Sequence, residues 1–67
     1  MTFEAWIKAE ELDAARLAEL TGFHRTYTWK VLSGRREPSL PFIRRCIEVA
    51  DGKLTANSFI APAERAA

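Results

Sequence analysis

The stretch LAELTGFHRTYTWKVLS, residues 17–33, decides the fold of this chain of 67 residues. Apolar residues recur at helical spacing up to Gly22, and a second run with the same spacing follows directly. Glycine after the last helical residue takes the left-handed backbone conformation that closes a helix. Two short helices joined by a tight turn that contains glycine form a helix-turn-helix. The stretch therefore predicts this motif, with Asp13 as the N-cap of a helix over residues 14–21 and a second helix that starts near His24 and ends by Gly34.

Helical spacing also recurs on both sides of the motif. The sequence predicts a helix over residues 3–11 after the N-cap Thr2, a helix from Ser39 to about Ala50, and a short helix over residues 56–60. The expected buried stripe of the fourth helix consists of Leu40, Ile43, Ile47 and Ala50, supplemented by Phe42, Cys46 and Val49. No stretch keeps the alternation of apolar and polar residues that marks a strand. We expect an all-α fold, a compact bundle of about five short helices that contains the helix-turn-helix.

The helix after the turn divides into two arcs of different chemistry. The arc expected to face the core is apolar or β-branched and holds Tyr27, Thr28, Val31 and Leu32. The opposite arc is basic, hydroxylic and aromatic and holds Arg25, Thr26, Trp29, Lys30 and Ser33. A large ring on an outward face needs a covering surface. For Trp29 this surface is a DNA duplex, another protein chain, or Arg25 or Ser33 of its own helix.

Length and composition limit the protein to one small folded domain. The chain is 48% hydrophobic with a net charge of +1, a balance typical of a folded globule. We expect this domain to occupy residues 1–60 and a flexible C-terminal tail to follow over residues 61–67. Because a core of this size gains from association and one cysteine cannot form an intrachain disulfide, we expect a homodimer, with Phe59 and Ile60 in its interface.

Several functional classes are excluded by the same counts. A single cysteine, Cys46, and a single histidine, His24, cannot supply a metal site with four ligands, and we expect no cofactor and no small-molecule ligand. No nucleophile has a plausible base for a partner, so the protein is not expected to be an enzyme. The apolar stretches are far shorter than the ~20 residues that span a bilayer, and the start lacks a signal segment, so we expect a cytoplasmic protein.

Charge is unevenly distributed along the chain. Residues 24–45 carry a net charge of +5, whereas residues 1–23 carry −3 and residues 46–67 carry −1. Such clustering is expected of a surface that meets phosphate, although a solvated basic face is the commoner meaning of a charge run. The basic segment contains the second helix of the predicted motif, which in a helix-turn-helix can lie in the major groove of DNA.

The segment LAELTGFHRTYTWKVLSGRREPS, residues 17–39, resembles the Cro/C1-type helix-turn-helix repressors, often called XRE-like, in spacing and residue type. More loosely, the resemblance covers most of the chain from Asp13 to Phe59. It implies a five-helix, usually homodimeric DNA-binding domain that represses transcription at a short operator, often in a phage or mobile-element locus. The positions implied to contact bases are Arg25, Thr26, Trp29 and Lys30. The positions implied to contact phosphate are His24, Tyr27, Ser33, Arg35 and Arg36.

Two residues depart from the pattern of this family. Asp13 places a negative charge at the start of the first helix of the motif, where the family often presents an amide or hydroxyl side chain to phosphate. Trp29 replaces a residue that is usually small and polar or short and charged. Both departures concern how the two helices of the motif would meet DNA.

Other residues near the motif receive structural interpretations. Tyr27 borders the inward arc, so we expect a packed ring whose hydroxyl reaches outward to a phosphate. We interpret His24 as a residue of the N-cap region whose protonation at acidic pH would add a phosphate contact. The pair Arg44 and Arg45 is expected to be solvated, and Cys46 is expected to be a small core residue.

The leading hypothesis is a sequence-specific DNA-binding transcriptional regulator, a repressor that binds a near-palindromic operator in double-stranded DNA as a homodimer. Arg25, in the first turn of its helix, can bond guanine O6 and N7 through both arms of its guanidinium. The alternative is a protein-interaction module, antitoxin-like or an adaptor, that keeps the helix-turn-helix frame. In that hypothesis Trp29 anchors the chain in a pocket of its partner.

Overall fold

The computed structural model describes residues 1–59, and the protein forms four α-helices and one 3-10 helix within them. The elements are α1 (Phe3–Ala9), α2 (Ala14–Thr21), α3 (Arg25–Leu32), α4 (Leu40–Ala50) and the 3-10 helix Ala56–Phe59. Over this range the chain has no strand, which confirms the predicted all-α class. The expected domain end at residue 60 and the expected tail over residues 61–67 lie outside the described residues.

None of the helices within residues 1–59 has the length and apolar character needed to pass through a bilayer. The longest, α4, contains 11 residues.

Side-chain caps determine where the helices begin. Before α1, α2 and α4 stands a residue whose side-chain oxygen accepts a hydrogen bond, at 2.8–3.4 Å, from the backbone N–H three positions later: Thr2, Asp13 and Ser39. These bonds satisfy N–H groups that have no partner inside the helix. Before α3 the same function is performed by the imidazole of His24. All four helix starts predicted from the sequence are therefore confirmed.

The turn between α2 and α3 depends on Gly22. Its φ angle is +79°, and its N–H donates to the carbonyl of Ala18 at 2.8 Å. A Cβ atom at this position would meet nothing within 4 Å. The turn therefore selects glycine for its left-handed backbone and not for lack of space.

The first helix ends earlier than predicted, at Ala9 and not at residue 11. Glu11 has a φ angle of +53°, which is incompatible with continuing the helix. The next residue, Leu12, donates its N–H to the carbonyl of Ile7 at 3.0 Å and packs against the core. Burial of Leu12 thus bends the chain before α1 can complete another turn.

Phe42 of α4 lies at the centre of the core. Its side chain is fully buried, and it meets the rings of Phe3, Phe23 and Tyr27 edge-on at centroid distances of 5.1–6.3 Å. Aromatic pairs favour this edge-to-face arrangement. The other large buried apolar side chains are Trp6, Leu17, Val31 and Leu54. All four α-helices consequently contribute to one core.

The buried face of α4 is centred on Phe42 and Cys46, which were predicted only to supplement the stripe, and it excludes Leu40. Phe42, Cys46 and Ala50, four residues apart, are buried, whereas Leu40 is 59% exposed. At 100° per residue, Leu40 lies about 160° around the helix from Phe42. Because the core fixes the direction of Phe42, Leu40 must face away from it.

The short helix expected over residues 56–60 is present over Ala56–Phe59 as a 3-10 helix. Ser58 stabilises it, since its Oγ accepts from the N–H of Thr55 at 3.0 Å and its own N–H donates to the carbonyl of Thr55 at 3.0 Å. Phe59 lies with its ring centroid 4.9 Å from that of Phe3. Phe59 is half-buried and packs against the core; its place in a dimer interface stays a prediction, and Ile60 lies outside the described residues.

Candidate nucleic-acid interface

One face of α3 is fixed against α2 by Thr28. This residue is fully buried, and its hydroxyl oxygen lies 2.8 Å from the carbonyl oxygen of Ala14 and 2.9 Å from that of Arg25. The single hydroxyl proton is therefore shared between a carbonyl of the facing helix and one of its own helix. Val31, one turn later, is also buried. The predicted division is confirmed for these two residues, while Tyr27 and Leu32 are half-buried.

The opposite face of α3 meets solvent. Its residues are exposed except for Lys30, which is half-buried: Arg25, Thr26, Trp29, Lys30 and Ser33. The predicted outward arc is thus correct in direction, with Lys30 more covered than expected. The cover is explained by the loop after α3, which folds back onto this part of the helix.

That loop is attached to the carbonyl oxygen of Lys30. The backbone N–H groups of Arg35 and Arg36 donate to this oxygen at 2.8 Å and 3.2 Å, and the hydroxyl of Ser33 donates to it at 3.3 Å. Gly34, with a φ angle of +77°, makes the tight return possible. Both arginine side chains are exposed beside the end of α3. The Ser33 hydroxyl proton, in contrast, is engaged within the helix.

Trp29 is partly covered by the side chain of Arg35. The guanidinium carbon lies 4.7 Å from the centroid of the indole, a cation–π distance, and Trp29 remains 49% exposed. The guanidinium over the ring belongs to Arg35, which was not among the partners considered for Trp29 on its own helix, Arg25 and Ser33. Arg35 reaches the ring because the loop returns to Lys30. Half of the indole remains available to a partner.

Tyr27 connects α3 to α4. Its ring lies 5.6 Å from Phe23 and 5.4 Å from Phe42, which confirms the expected packing. Its hydroxyl oxygen accepts a hydrogen bond from the N–H of Ser39 at 2.8 Å. Since the oxygen acts as an acceptor there, its own proton is free for an external acceptor. The guanidinium of Arg36 lies 5.9 Å from the same ring.

His24 caps α3 through its ring. Nδ1 accepts a hydrogen bond from the N–H of Thr26 at 3.1 Å, so the N-cap interpretation is confirmed. An accepting Nδ1 assigns the ring proton to Nε2. The residue is exposed, so Nε2–H can donate to a phosphate oxygen without a charge on the ring.

The cations of this surface lack carboxylate partners in the described part of the chain. Elsewhere, three ion pairs with nitrogen–oxygen distances of 2.8–3.4 Å join Arg16 to Glu19, Arg45 to Glu48 and Lys53 to Glu10. No carboxylate of residues 1–59 forms such a pair with Arg25, Lys30, Arg35 or Arg36. We name these four residues the basic face. Its positive charge is not neutralised at short range, which favours contact with an anionic partner.

A cleft of about 440 Å³ lies between the start of α2 and the exposed side of α3. Its lining comprises Asp13, Ala14 and Ala15 from α2 and Arg25, Thr26 and Trp29 from α3. Sequence reasoning placed the last three residues at an interface but gave no such role to the two alanines. The sequence feature that could have identified these alanines is a pair of small residues directly after the N-cap of the first helix of the motif.

Two further interpretations concern α4. Arg44 and Arg45 are exposed, as expected. Cys46 is fully buried, and the burial raises the pKa of its thiol from 9.0 to about 12. The thiol is therefore neutral near pH 7, which confirms its interpretation as a small core residue.

Comparisons of the chain with protein-family models, with curated proteins and with solved structures found no match. The resemblance to Cro/C1-type repressors stays a prediction.

Proposed function

We propose that this protein is a sequence-specific DNA-binding transcriptional regulator. In this proposal it acts in the cytoplasm as a repressor and binds a near-palindromic operator as a homodimer. The observation that carries the proposal is the basic face, four cations without a carboxylate partner in residues 1–59, around the exposed side of the second helix of a helix-turn-helix. Such a helix has the dimensions to enter the major groove.

Different parts of this surface are suited to different contacts. Arg25 and Thr26, in the first turn of α3, are exposed and lie toward bases when the start of the helix enters the groove. Arg35 and Arg36, at the other end, are suited to the phosphates beside the groove. His24 Nε2–H and the Tyr27 hydroxyl are uncharged hydrogen-bond donors. Each adds a hydrogen bond to a phosphate oxygen.

Selection of bound sequences from a random duplex pool, followed by electrophoretic mobility shift at two salt concentrations, tests the proposal. We expect one recovered half-site motif, arranged as an inverted repeat, and binding that weakens steeply with salt because phosphate contacts release counterions. A matched control replaces Arg44 and Arg45, exposed cations outside the basic face, by alanine. This control should bind with nearly the affinity of the native chain.

Folded protein that shows no salt-sensitive binding to any duplex would overturn the proposal. The remaining candidate would then be the protein-interaction module, which the half-exposed indole of Trp29 favours.

A further inference from the structure

We infer that the cleft between α2 and α3 receives the C5-methyl edge of a pyrimidine next to the guanine contacted by Arg25. The protein would then distinguish thymine or 5-methylcytosine at that base step from the same base without its methyl group. This inference rests on the proposed function and adds to it a specific chemical feature of the operator.

The walls of the cleft suit a methyl group. Ala14 and Ala15 contribute small aliphatic side chains, and Trp29 contributes an indole that Arg35 covers only in part. The methyl side chains of the two alanines form no hydrogen bonds, and the indole adds a large apolar ring with a single N–H donor. Transfer of a methyl group from water to such a surface is favourable.

The charge of the cleft argues against a phosphate as its occupant. Asp13 lies in the lining, and its Oδ1 already accepts from the N–H of Arg16 at 2.8 Å. A carboxylate at this point repels the phosphodiester that would otherwise approach the N-terminus of α2. A neutral base edge experiences no such repulsion.

The remaining polar groups specify which base edge enters. Arg25 lines the cleft, and its fork of donors complements O6 and N7 of guanine. The C5-methyl group of a pyrimidine projects into the same groove as these guanine atoms. With Arg25 on guanine, our inference places the methyl group of a pyrimidine at the adjacent step against Ala15 and Trp29, which line the same cleft as Arg25.

The experiment uses duplexes of the selected operator in which each thymine is replaced singly by deoxyuridine, which lacks only the methyl group. We expect one position per half-site, adjacent to a guanine, where the loss of affinity is roughly fourfold, the ratio for one buried methyl group. Where cytosine occupies that step, 5-methylcytosine should bind roughly fourfold more tightly. The deoxyuridine duplexes test thymine as the source of the methyl group, and the 5-methylcytosine duplexes test methylated cytosine.

Protein variants assign the effect to the cleft. Trp29→Ala should bring the thymine-to-uracil affinity ratio close to one, whereas Arg36→Ala should weaken both duplexes and leave the ratio unchanged. Asp13→Asn keeps the helix cap, since asparagine caps as well as aspartate. If phosphate fills the cleft instead, this variant should bind every duplex more tightly and steepen the salt dependence.

An operator that binds the protein but shows no sensitivity to any methyl group would overturn the inference and leave the proposed function intact. A half-site without a pyrimidine adjacent to guanine would do the same. Absence of binding to every duplex would instead overturn the proposed function itself.

Discussion

Arg25 and Arg36 show how position gives two exposed arginines different chemistry. Arg25 lies in the first turn of α3 and lines the cleft, with no carboxylate of residues 1–59 paired to it. Arg36 has its backbone bonded to the carbonyl of Lys30 and its guanidinium beside the ring of Tyr27. The first side chain is suited to a base edge, and the second is suited to the backbone at the side of the groove.

This difference predicts opposite patterns of binding loss. Arg25→Ala should cost about 1–3 kcal/mol of operator binding and relax the preference at one base pair, because a bidentate contact disappears. Arg36→Ala should weaken operator and random duplex alike and lower the slope of log affinity against log salt by about one. Titration of both variants against both duplexes at several salt concentrations measures the two effects. Equal losses on the two duplexes for Arg25→Ala would contradict its role.

Cys46 predicts a pH dependence of stability. Burial raises the pKa of its thiol from the ordinary value of 9.0 to about 12. The unfolded chain therefore loses this proton first, and the free energy of unfolding falls as pH rises above 9. The native chain should lose about 1.4 kcal/mol more than Cys46→Ala between pH 8 and pH 10. Urea unfolding of both proteins at the two pH values measures this difference, and parallel curves would contradict it.

Among the helices, α3 is positioned by hydrogen bonds to two neighbours. The Thr28 hydroxyl donates to the carbonyl of Ala14 in α2, and the Tyr27 hydroxyl accepts from the N–H of Ser39, the cap of α4. The two side chains are adjacent in sequence and therefore bond in different directions. Together they fix both the rotation and the tilt of the helix that carries the basic face.

Removal of the Thr28 hydroxyl should destabilise the fold. Thr28→Val keeps the shape of the side chain but removes the bond to α2, at an expected cost of about 1 kcal/mol. Thr26→Val is the matched control, because Thr26 is exposed on the same helix and the change should stay within about 0.5 kcal/mol. Thermal or urea unfolding compares the two variants. Similar stabilities would show that the bond to Ala14 contributes nothing measurable.

The sequence predicted features of the elements that depend on a few adjacent residues. Caps at Asp13 and Ser39 and the left-handed Gly22 follow from local chemistry, and the structure confirms them. The exposure of Leu40 and the contact of Phe59 with Phe3 depend on how separate helices pack. No local spacing contains that information, so Leu40 was wrongly predicted to be buried and the contact of Phe59 with Phe3 was not predicted.

The candidate site shows the same limit. Helical periodicity predicted which residues of α3 face outward. It did not predict that Lys30 is half-buried. Periodicity could not predict the stack of Arg35 on Trp29, because this contact requires the loop to return to the carbonyl of Lys30. The two alanines of the cleft were assigned only when α2 and α3 were seen together.

For the whole molecule, the distribution of charge matters more than its total. The net charge of +1 hides the contrast between residues 24–45, at +5, and residues 1–23, at −3. The charge of the described residues is therefore asymmetric. A polyanion is attracted to the basic segment, which carries α3. In the proposed homodimer, two such molecules would lie side by side with both α3 helices on one face of the duplex.

This arrangement predicts a fixed spacing in the operator. Half-sites in a two-fold symmetric complex lie about 10–10.5 base pairs apart from centre to centre. Insertion of five base pairs between them turns one half-site to the far side of the duplex, so affinity should fall to that of a single half-site. Mobility shift with operators of both lengths measures the loss. Undiminished affinity would indicate that each copy binds alone.

The two indole rings of the chain occupy contrasting environments, since Trp6 is 2% exposed within the core and Trp29 is 49% exposed on α3. Intrinsic fluorescence therefore contains two separable signals. Iodide should quench the emission of Trp29 and spare that of Trp6, so a Trp6→Phe variant reports ligand contact and a Trp29→Phe variant reports unfolding. The molecule thus carries its own spectroscopic labels for folding and for binding, without any attached dye.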